Sequence, residues 1–343
     1  MDVIKSLAGF VGENLNLLAP VDQAWQPSDF LPDLSAEDWV EQVSLFRESG
    51  SALSDDLLVI LVGNMVTEEA LPNYSISLNR IVNDSTGIGD APWSRWLRGW
   101  AAEENRHGDL LNAYLRLTGR VDMRAVEQTI HHLIAKGFSA LRGGFDPTNE
   151  LDAYSGLIYT SFQERATRIS HGNVAKMALA QGDEALSKIC RRIAGDESRH
   201  ETFYTRVVGQ VMEQDPEGGI LAFRTLLRGF ITMPGRNMAD GRTPDLYDHF
   251  AATAQRLGTY TARDYARIIE HLTTVWRIAD LSVSGKAAKA QDYLCQQAEK
   301  YERFADEIAE TLGKQAPVAF AWLGRTRQAK TTVTFGDLGV AAT

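Results

Sequence analysis

Hydrophobic positions recur along most of this chain at steps of three and four, the spacing that gathers residues on one face of an α-helix. A helix starting near Ser54 aligns Leu57, Leu61, Met65, Glu68, Leu71, Ser75 and Leu78. Asp90-Ala91-Pro92 supplies a cap and an early proline for the next, whose stripe runs through Trp93, Leu97, Trp100, Glu104, His107, Leu111, Tyr114 and Thr118. From about Leu151 a third long helix aligns Leu157, Thr160, Glu164, Thr167, His171 and Val174. A fourth, after Gly182-Asp183, aligns Leu186, Cys190, Ile193, Glu197, His200, Tyr204, Val207 and Val211. Shorter helices are predicted from Ser35 (a capping box) to about Gly50, Asp122 to Lys136, Pro216 to about Ile231, Asp245 to Leu257, Thr261 to Leu281 and Lys286 to Leu312. Gly137, Gly143, Gly144 and Pro147 mark a long loop, and Pro234 to Pro244 a second. No stretch alternates with the period of a strand, so the expected fold is all-α, with roughly ten helices.

Four of these apolar stripes are interrupted by glutamate, and two of them also by histidine. Glu103-Glu104-Asn105-Arg106-His107 and Asp196-Glu197-Ser198-Arg199-His200 are one phrase written twice: acid, Glu, a small polar residue, Arg, His. In each copy the Glu and the His lie three apart and share a helix face. Each copy also follows a helix with an inward glutamate, Glu68 (or Glu69) in the first half and Glu164 in the second. Glu68 is the better placed of the first pair, since Glu69 sits about a third of a turn off the stripe. Pro72 removes the hydrogen bond that would have gone to the carbonyl of residue 68, so a kink is expected beside that glutamate.

An ionised carboxylate in an apolar interior is costly unless paired or bound to a metal. Four glutamates and two histidines facing one interior therefore imply a highly charged cation. Carboxylate and imidazole donors without thiolates suit iron or manganese better than structural zinc. The arrangement is that of a ferritin-like four-helix core of the di-iron or di-manganese kind. By the internal symmetry Asp196 would accept from His107, and Glu103 from His200, as carboxylates behind metal-bound histidines do. The plainer alternative pairs these acids with Arg199 and Arg106. Thr167 lies one turn beyond Glu164, where its hydroxyl can face the metals or bond its own helix. His171 reads as a satisfied core histidine, and Trp93, Trp96 and Trp100 as core packing.

Length and composition set the frame. At 343 residues, 44% hydrophobic and 23% charged, the chain is of globular type and long enough for a substantial core. The expected layout is an N-terminal arm over 1–34, with Pro20, Pro27 and Pro32 around Trp25, then a single helical bundle over 35–313 and a weakly periodic tail over 314–343. No apolar run approaches the roughly 20 residues a membrane span needs. The start, Met1-Asp2-Val3-Ile4-Lys5, has neither a secretory nor a transit pattern, and the expected location is cytoplasmic. Cys190 and Cys295 are read as reduced core thiols. A net charge of −10 argues against nonspecific nucleic-acid binding.

With these residues in place, the chain resembles the soluble acyl-[acyl-carrier-protein] desaturases, the family of plant stearoyl-ACP desaturase. The likeness runs from about Ile4 to Arg325. It rests on Trp25-Gln26-Pro27-Ser28-Asp29-Phe30-Leu31-Pro32, Thr67-Glu68-Glu69-Ala70-Leu71-Pro72, the two motifs above, Tyr159 to Thr167 and Asp248 to Leu257. The resemblance implies that Glu68, Glu104, His107, Glu164, Glu197 and His200 ligate two Fe ions. It implies a threonine near the oxygen site at Thr167, and an electron route through Trp25, Asp196 and His107. Glu103, Arg106 and Arg199 flank that route, and Ser77, Arg80 and Leu157 are candidates for the substrate channel. The implied reaction uses O₂ and two electrons from reduced ferredoxin to place a cis double bond in a saturated acyl chain carried by acyl carrier protein, in a homodimer. The loop from Lys136 to Ala153 is longer than in plant members, and Arg80 stands where a small or neutral residue is expected. Other outcomes for the same residues are hydroxylation of a carrier-bound acyl group and a ferritin-like ferroxidase.

Overall fold

The structure, a computed structural model, describes residues 2–81, 88–139, 149–312 and 318–323. Two short helices, α1 (Asp2–Ser6) and α2 (Ala8–Glu13), open the chain. Then come α3 (Trp39–Ser51), α4 (Asp55–Glu69), α5 (Leu71–Ile81), α6 (Pro92–Thr118) and α7 (Met123–Lys136). The second half holds α8 (Glu150–Ala180), α9 (Glu184–Gln214), α10 (Pro216–Gly229), α11 (Leu246–Leu257), α12 (Ala262–Val275) and α13 (Gly285–Leu312). Among the described residues there is no strand, and the fold is the expected all-α, ferritin-like bundle. The described residues form thirteen α-helices rather than roughly ten, chiefly because the arm coils into α1 and α2 and one predicted helix divides into α4 and α5.

That division has a local cause. Proline at 72 has no N–H to offer the carbonyl four residues back, and the chain turns at Ala70. At the same turn the Thr67 carbonyl accepts the Ala70 N–H at 3.2 Å and the Tyr74 hydroxyl at 3.0 Å. Elsewhere side chains stop or start the helices. Ser54, Asp122, Asn149, Asp183 and Asp215 each accept a backbone N–H at a helix start, and Gly119 closes α6 with φ +64°.

Helices α4, α6, α8 and α9 form the centre. α4 packs on α6 and α8, and α9 packs on α8 and α6, which closes a four-sided bundle. Because α11 and the segment 318–323 also cover α4, every residue from Leu57 to Gly63 is buried, and its apolar run is a core rather than a membrane feature. α11 comes so close that a Cβ on Gly63 would stand 2.1 Å from the Phe250 ring. α10 and α12 form a further layer against α8 and α9, and α13 packs on those two. No single helix among the described residues is long and apolar enough to cross a membrane.

Several local expectations are corrected. Ser35 does not cap α3; its N–H and hydroxyl both bond Asp33, and the helix begins at Trp39. Ala91, not Asp90, is the N-cap of α6, without a side-chain bond. The helix from Thr261 ends at Val275, and Arg277 takes φ +50° before a single 3-10 turn, Ile278–Asp280. Cys190 is buried, but Cys295 is exposed, one position off the inward stripe of α13. In the tail, Phe320, Trp322 and Leu323 are buried, and Trp322 donates to Thr129 Oγ1 at 2.9 Å. The N-terminal arm is also seated, with Ile4, Leu7, Val11 and Trp25 buried and Trp93 Nε1 donating to the Ile4 carbonyl.

The α4–α11 contact leaves no room for a methyl group. Gly63→Ala is expected to lower the unfolding free energy by about 1–3 kcal/mol, the usual range for overpacking. Gly209→Ala, where the nearest atom stands 4.0 Å from the new Cβ, should be neutral or stabilising. Chemical denaturation of the two variants measures the difference.

Candidate metal centre

Each of the four central helices brings one acid to the same interior point, and two of them add a histidine. Glu68 comes from α4, Glu104 and His107 from α6, Glu164 from α8, Glu197 and His200 from α9, and all six are buried. Their donor atoms fall into two groups, each within 4.8 Å: Glu68, Glu104, His107 and Glu197, and Glu104, Glu164, Glu197 and His200. Glu104 and Glu197 belong to both. The set therefore fits two cations sharing two carboxylates, with one further glutamate and one histidine for each. Glu69 lies outside it and accepts Asn112 Nδ2 at 3.0 Å.

The unpartnered atoms test this fit. Glu104 Oε1, Glu197 Oε1, His107 Nδ1 and His200 Nδ1 are buried without a hydrogen-bond partner, although buried polar atoms are almost always paired. Both histidines turn Nδ1 inward. His107 Nδ1 stands 3.2 Å from Glu104 and 3.3 Å from Glu197, and His200 Nδ1 stands 2.7 Å from Glu104 and 3.6 Å from Glu164. Donors aimed at one another with no hydrogen bond between them are arranged for something else to sit there.

The outward nitrogens are held by the acid of the opposite motif. His107 Nε2 is 3.4 Å from Asp196 Oδ2, and His200 Nε2 is 2.9 Å from Glu103 Oε2. Arg199 joins both acids, at 2.7 Å to Asp196 and 2.9 Å to Glu103, so the two alternatives for these acids coexist. Arg106 behaves differently from its counterpart. It reaches Glu103 and Asp196 only at 3.9 Å, and its guanidinium lies over the Trp25 ring, 5.1 Å from the centroid. Trp25 Nε1 donates to Asp196 Oδ2 at 2.7 Å, and its ring lies parallel to His107 at 6.1 Å. On the other side, Glu103 Oε1 accepts the Ala19 N–H at 2.7 Å.

The electrostatics follow from burial and crowding. Burial raises Glu68 to about 7 against the hydrogen bond to His171, with Glu197 and Glu104 pushing the same way. Burial and then Glu104 raise Glu164 well above the usual carboxylate range. Burial opposes charge on His107 and His200, yet their carboxylate neighbours, Glu104 foremost, raise both. Glu104 itself is pushed up by burial but held low by the two histidines. The interior thus carries more acid than its own bases neutralise, which is the condition a cation relieves.

Two neighbours have a closer part in the site than their spacing suggests. Trp100 donates Nε1 to Glu164 Oε1 at 3.0 Å, so it does more than pack. His171 Nε2 lies 3.0 Å from Glu68 Oε1, so this core histidine touches the metal set. Their inward phase is visible in the sequence; which glutamate each would meet depends on how the four helices dock.

A cavity of about 90 Å³ opens beside the carboxylates, lined in part by Tyr74, Ser77, Phe138, Tyr159, Thr160 and Thr167. The Thr167 hydroxyl bonds the Gln163 and Glu164 carbonyls of its own helix at 3.1 Å while its side chain borders this space. Leu157 does not line it. On α8 the cavity face runs through Gly156, Tyr159, Thr160, Gln163, Glu164 and Thr167, and the residue after Gly156 is turned about 100° away, into the core. Ser77 is on the cavity wall, whereas the Arg80 side chain and residues 140–148 of the long loop lie outside the described residues.

The sequence profile described as fatty acid desaturase matches residues 1–324. The chain belongs to that family. Among its relatives, stearoyl-[acyl-carrier-protein] 9-desaturase 5 of Oryza sativa subsp. japonica is 50% identical over 327 residues, covering 94% of this chain and 82% of the relative. The stearoyl-[acyl-carrier-protein] 9-desaturase of Ricinus communis is 49% identical over 328 residues, covering 94% and 81%. Both are named as chloroplastic proteins. A solved structure described as an acyl-ACP desaturase, DesA2 of Mycobacterium tuberculosis H37Rv, superposes with a TM-score of 0.52 at 21% identity, over 85% of this chain and 99% of that one. At that identity the likeness speaks for the fold, and the desaturase family and the ferritin-like bundle agree.

The shared and unshared ligands make separable predictions. The purified chain should bind two Fe(II) or Mn(II) ions, read by elemental analysis after anaerobic loading and desalting. Glu197→Gln removes a carboxylate common to both groups and should bring occupancy of both ions down together. Glu164→Gln should spare one ion of the two.

Proposed function

We propose that this chain is an acyl-[acyl-carrier-protein] desaturase: it removes two hydrogens from a saturated acyl chain held on acyl carrier protein and leaves a cis double bond. The observation that carries this reading is the convergence of all six donor residues beside a narrow, largely apolar cavity, in a chain half identical to enzymes named for this reaction. When bound at those residues, two iron ions supply the oxidation of an unactivated C–H bond, which acid, base and nucleophile side chains cannot do. The balance is a –CH₂–CH₂– unit, O₂, two electrons and two protons going to –CH=CH– and two waters. Reduced ferredoxin is the proposed source of the electrons.

The protein's own share is placement and exclusion of water. Glu68, His107, Glu164 and His200 would each serve one ion, and Glu104 and Glu197 both. Asp196 and Glu103 hold the imidazoles in the orientation that turns Nδ1 to the metals. Trp25, hydrogen-bonded to Asp196 and stacked beside His107, would pass electrons inward from the arm. Thr167 would face oxygen species if its hydroxyl turned from its helix to the cavity. The aromatic side chains Tyr74, Phe138 and Tyr159 crowd one part of the cavity wall, with Tyr74 and Phe138 edge to face at 5.6 Å, and would bound the acyl chain there. Part of the proposal is that the enzyme works as a homodimer in the cytoplasm, unlike its chloroplastic relatives.

Incubation with saturated acyl-ACPs of different length, ferredoxin, its reductase and O₂ tests the activity, with mass spectrometry of the released acyl group. A product lighter by two hydrogens is expected. A product heavier by one oxygen would instead make the chain a hydroxylase, and oxygen consumption without acyl carrier protein would favour a ferroxidase. Phe138→Ala opens the aromatic wall, and the preferred acyl length should move upward by one or more carbons in the same assay.

A further inference from the structure

The two halves of the bundle repeat their ligands but not what holds them. Glu164 has one oxygen fixed by Trp100, four residues before Glu104 on α6. The repeat would supply Glu68 with a donor four residues before Glu197, and that residue is Ile193, buried and without an N–H in its side chain. In its place His171, seven residues beyond Glu164 on α8, reaches across to Glu68. The corresponding position in the first half, seven beyond Glu68, is Ser75. Each outer glutamate thus has one ring nitrogen on one oxygen, delivered from unrelated positions.

His171 has no competing polar contact among the described residues. It is 1% exposed, and its Nδ1 is buried without a hydrogen-bond partner. Its Nε2 contact to Glu68 Oε1 at 3.0 Å is therefore what its polar edge is spent on. With Glu68 ionised, as a metal ligand must be, the tautomer with hydrogen on Nε2 would donate to Oε1 and turn the bare Nδ1 to its dry surroundings. Glu68 Oε2, the other oxygen, stands 3.9 Å from His107 Nδ1, on the side of the metal group. One oxygen is tied back and the other presented.

We infer that His171 is a positioning residue for the metal on the Glu68 side: by holding Oε1 it keeps Glu68 as a ligand through Oε2, the part that Trp100 plays for Glu164. This rests on the di-iron reading of the same six residues, and its test is separable from that reading. The unmodified chain is loaded anaerobically with ⁵⁷Fe(II), and iron content, affinity and the Mössbauer spectrum are recorded. Failure to take up two irons would overturn the di-iron reading itself.

Given two irons, His171→Leu fills the volume without a donor and is expected to weaken one of them about 10- to 100-fold, the usual cost of losing a partner behind a metal ligand. One quadrupole doublet should move while the other stays. His171→Gln restores an N–H at similar reach and should recover both the affinity and the doublet. Trp100→Phe should affect the opposite iron. Circular dichroism shows whether each variant is folded, and a variant that does not fold is replaced by His171→Met. Unchanged affinity and spectrum in the folded donor-free variant, or a loss that His171→Gln does not recover, would overturn the inference.

Discussion

Four carboxylates and two imidazoles enclosed in an apolar bundle are the constraint around which this protein is built. Removing that much charge from water is tolerable only where every oxygen and nitrogen has an opposite charge or a donor beside it. The structure meets the requirement in layers everywhere but at the very centre, where Glu104 Oε1, Glu197 Oε1 and both Nδ1 atoms have no partner of their own and suit a cation. Nearest the centre the six donors face one another; behind them stand Asp196, Glu103, Trp100 and His171; behind those, Arg199 ties the two acids together. The helices that carry the donors are the four at the centre of the bundle, so the polar centre and the apolar core stabilise the same geometry.

Much of this was legible in the sequence because helical spacing is a strong signal over long stretches. The stripes of α6 and α9 fixed the phase of Glu104, His107, Glu197 and His200, and the repeated motif made Glu103 and Asp196 conspicuous. The internal repeat supplied the pairing of the halves, and the family likeness added the reaction. The proline at 72 gave the break beside Glu68, though not that Tyr74 would take the Thr67 carbonyl. That bond depends on where the turn leaves α5, a three-dimensional result with no local pattern behind it.

What was not legible depends on docking or on competition between local bonds. Ser35 had the spacing of a capping box, but Asp33 lies two residues away and takes its hydroxyl at 2.6 Å. Cys295 sits close enough to the apolar stripe of α13 to look buried, and a rotation of one residue puts it in water. Leu157 lies on the helix that lines the cavity but on its other face, since the cavity wall follows Gly156 and Tyr159. His171 and Trp100 each meet a carboxylate from another helix, and periodicity along one chain cannot name a partner on a second.

The seating of the N-terminal arm has a consequence for the whole molecule. Trp25 and His107 meet Asp196 at the same oxygen, Oδ2, so the peptide that wraps the outside and the ring that faces the centre draw on one acceptor. A single carboxylate therefore fixes both a stretch of the arm and the tilt of an imidazole at the centre, so losing it would free the two together.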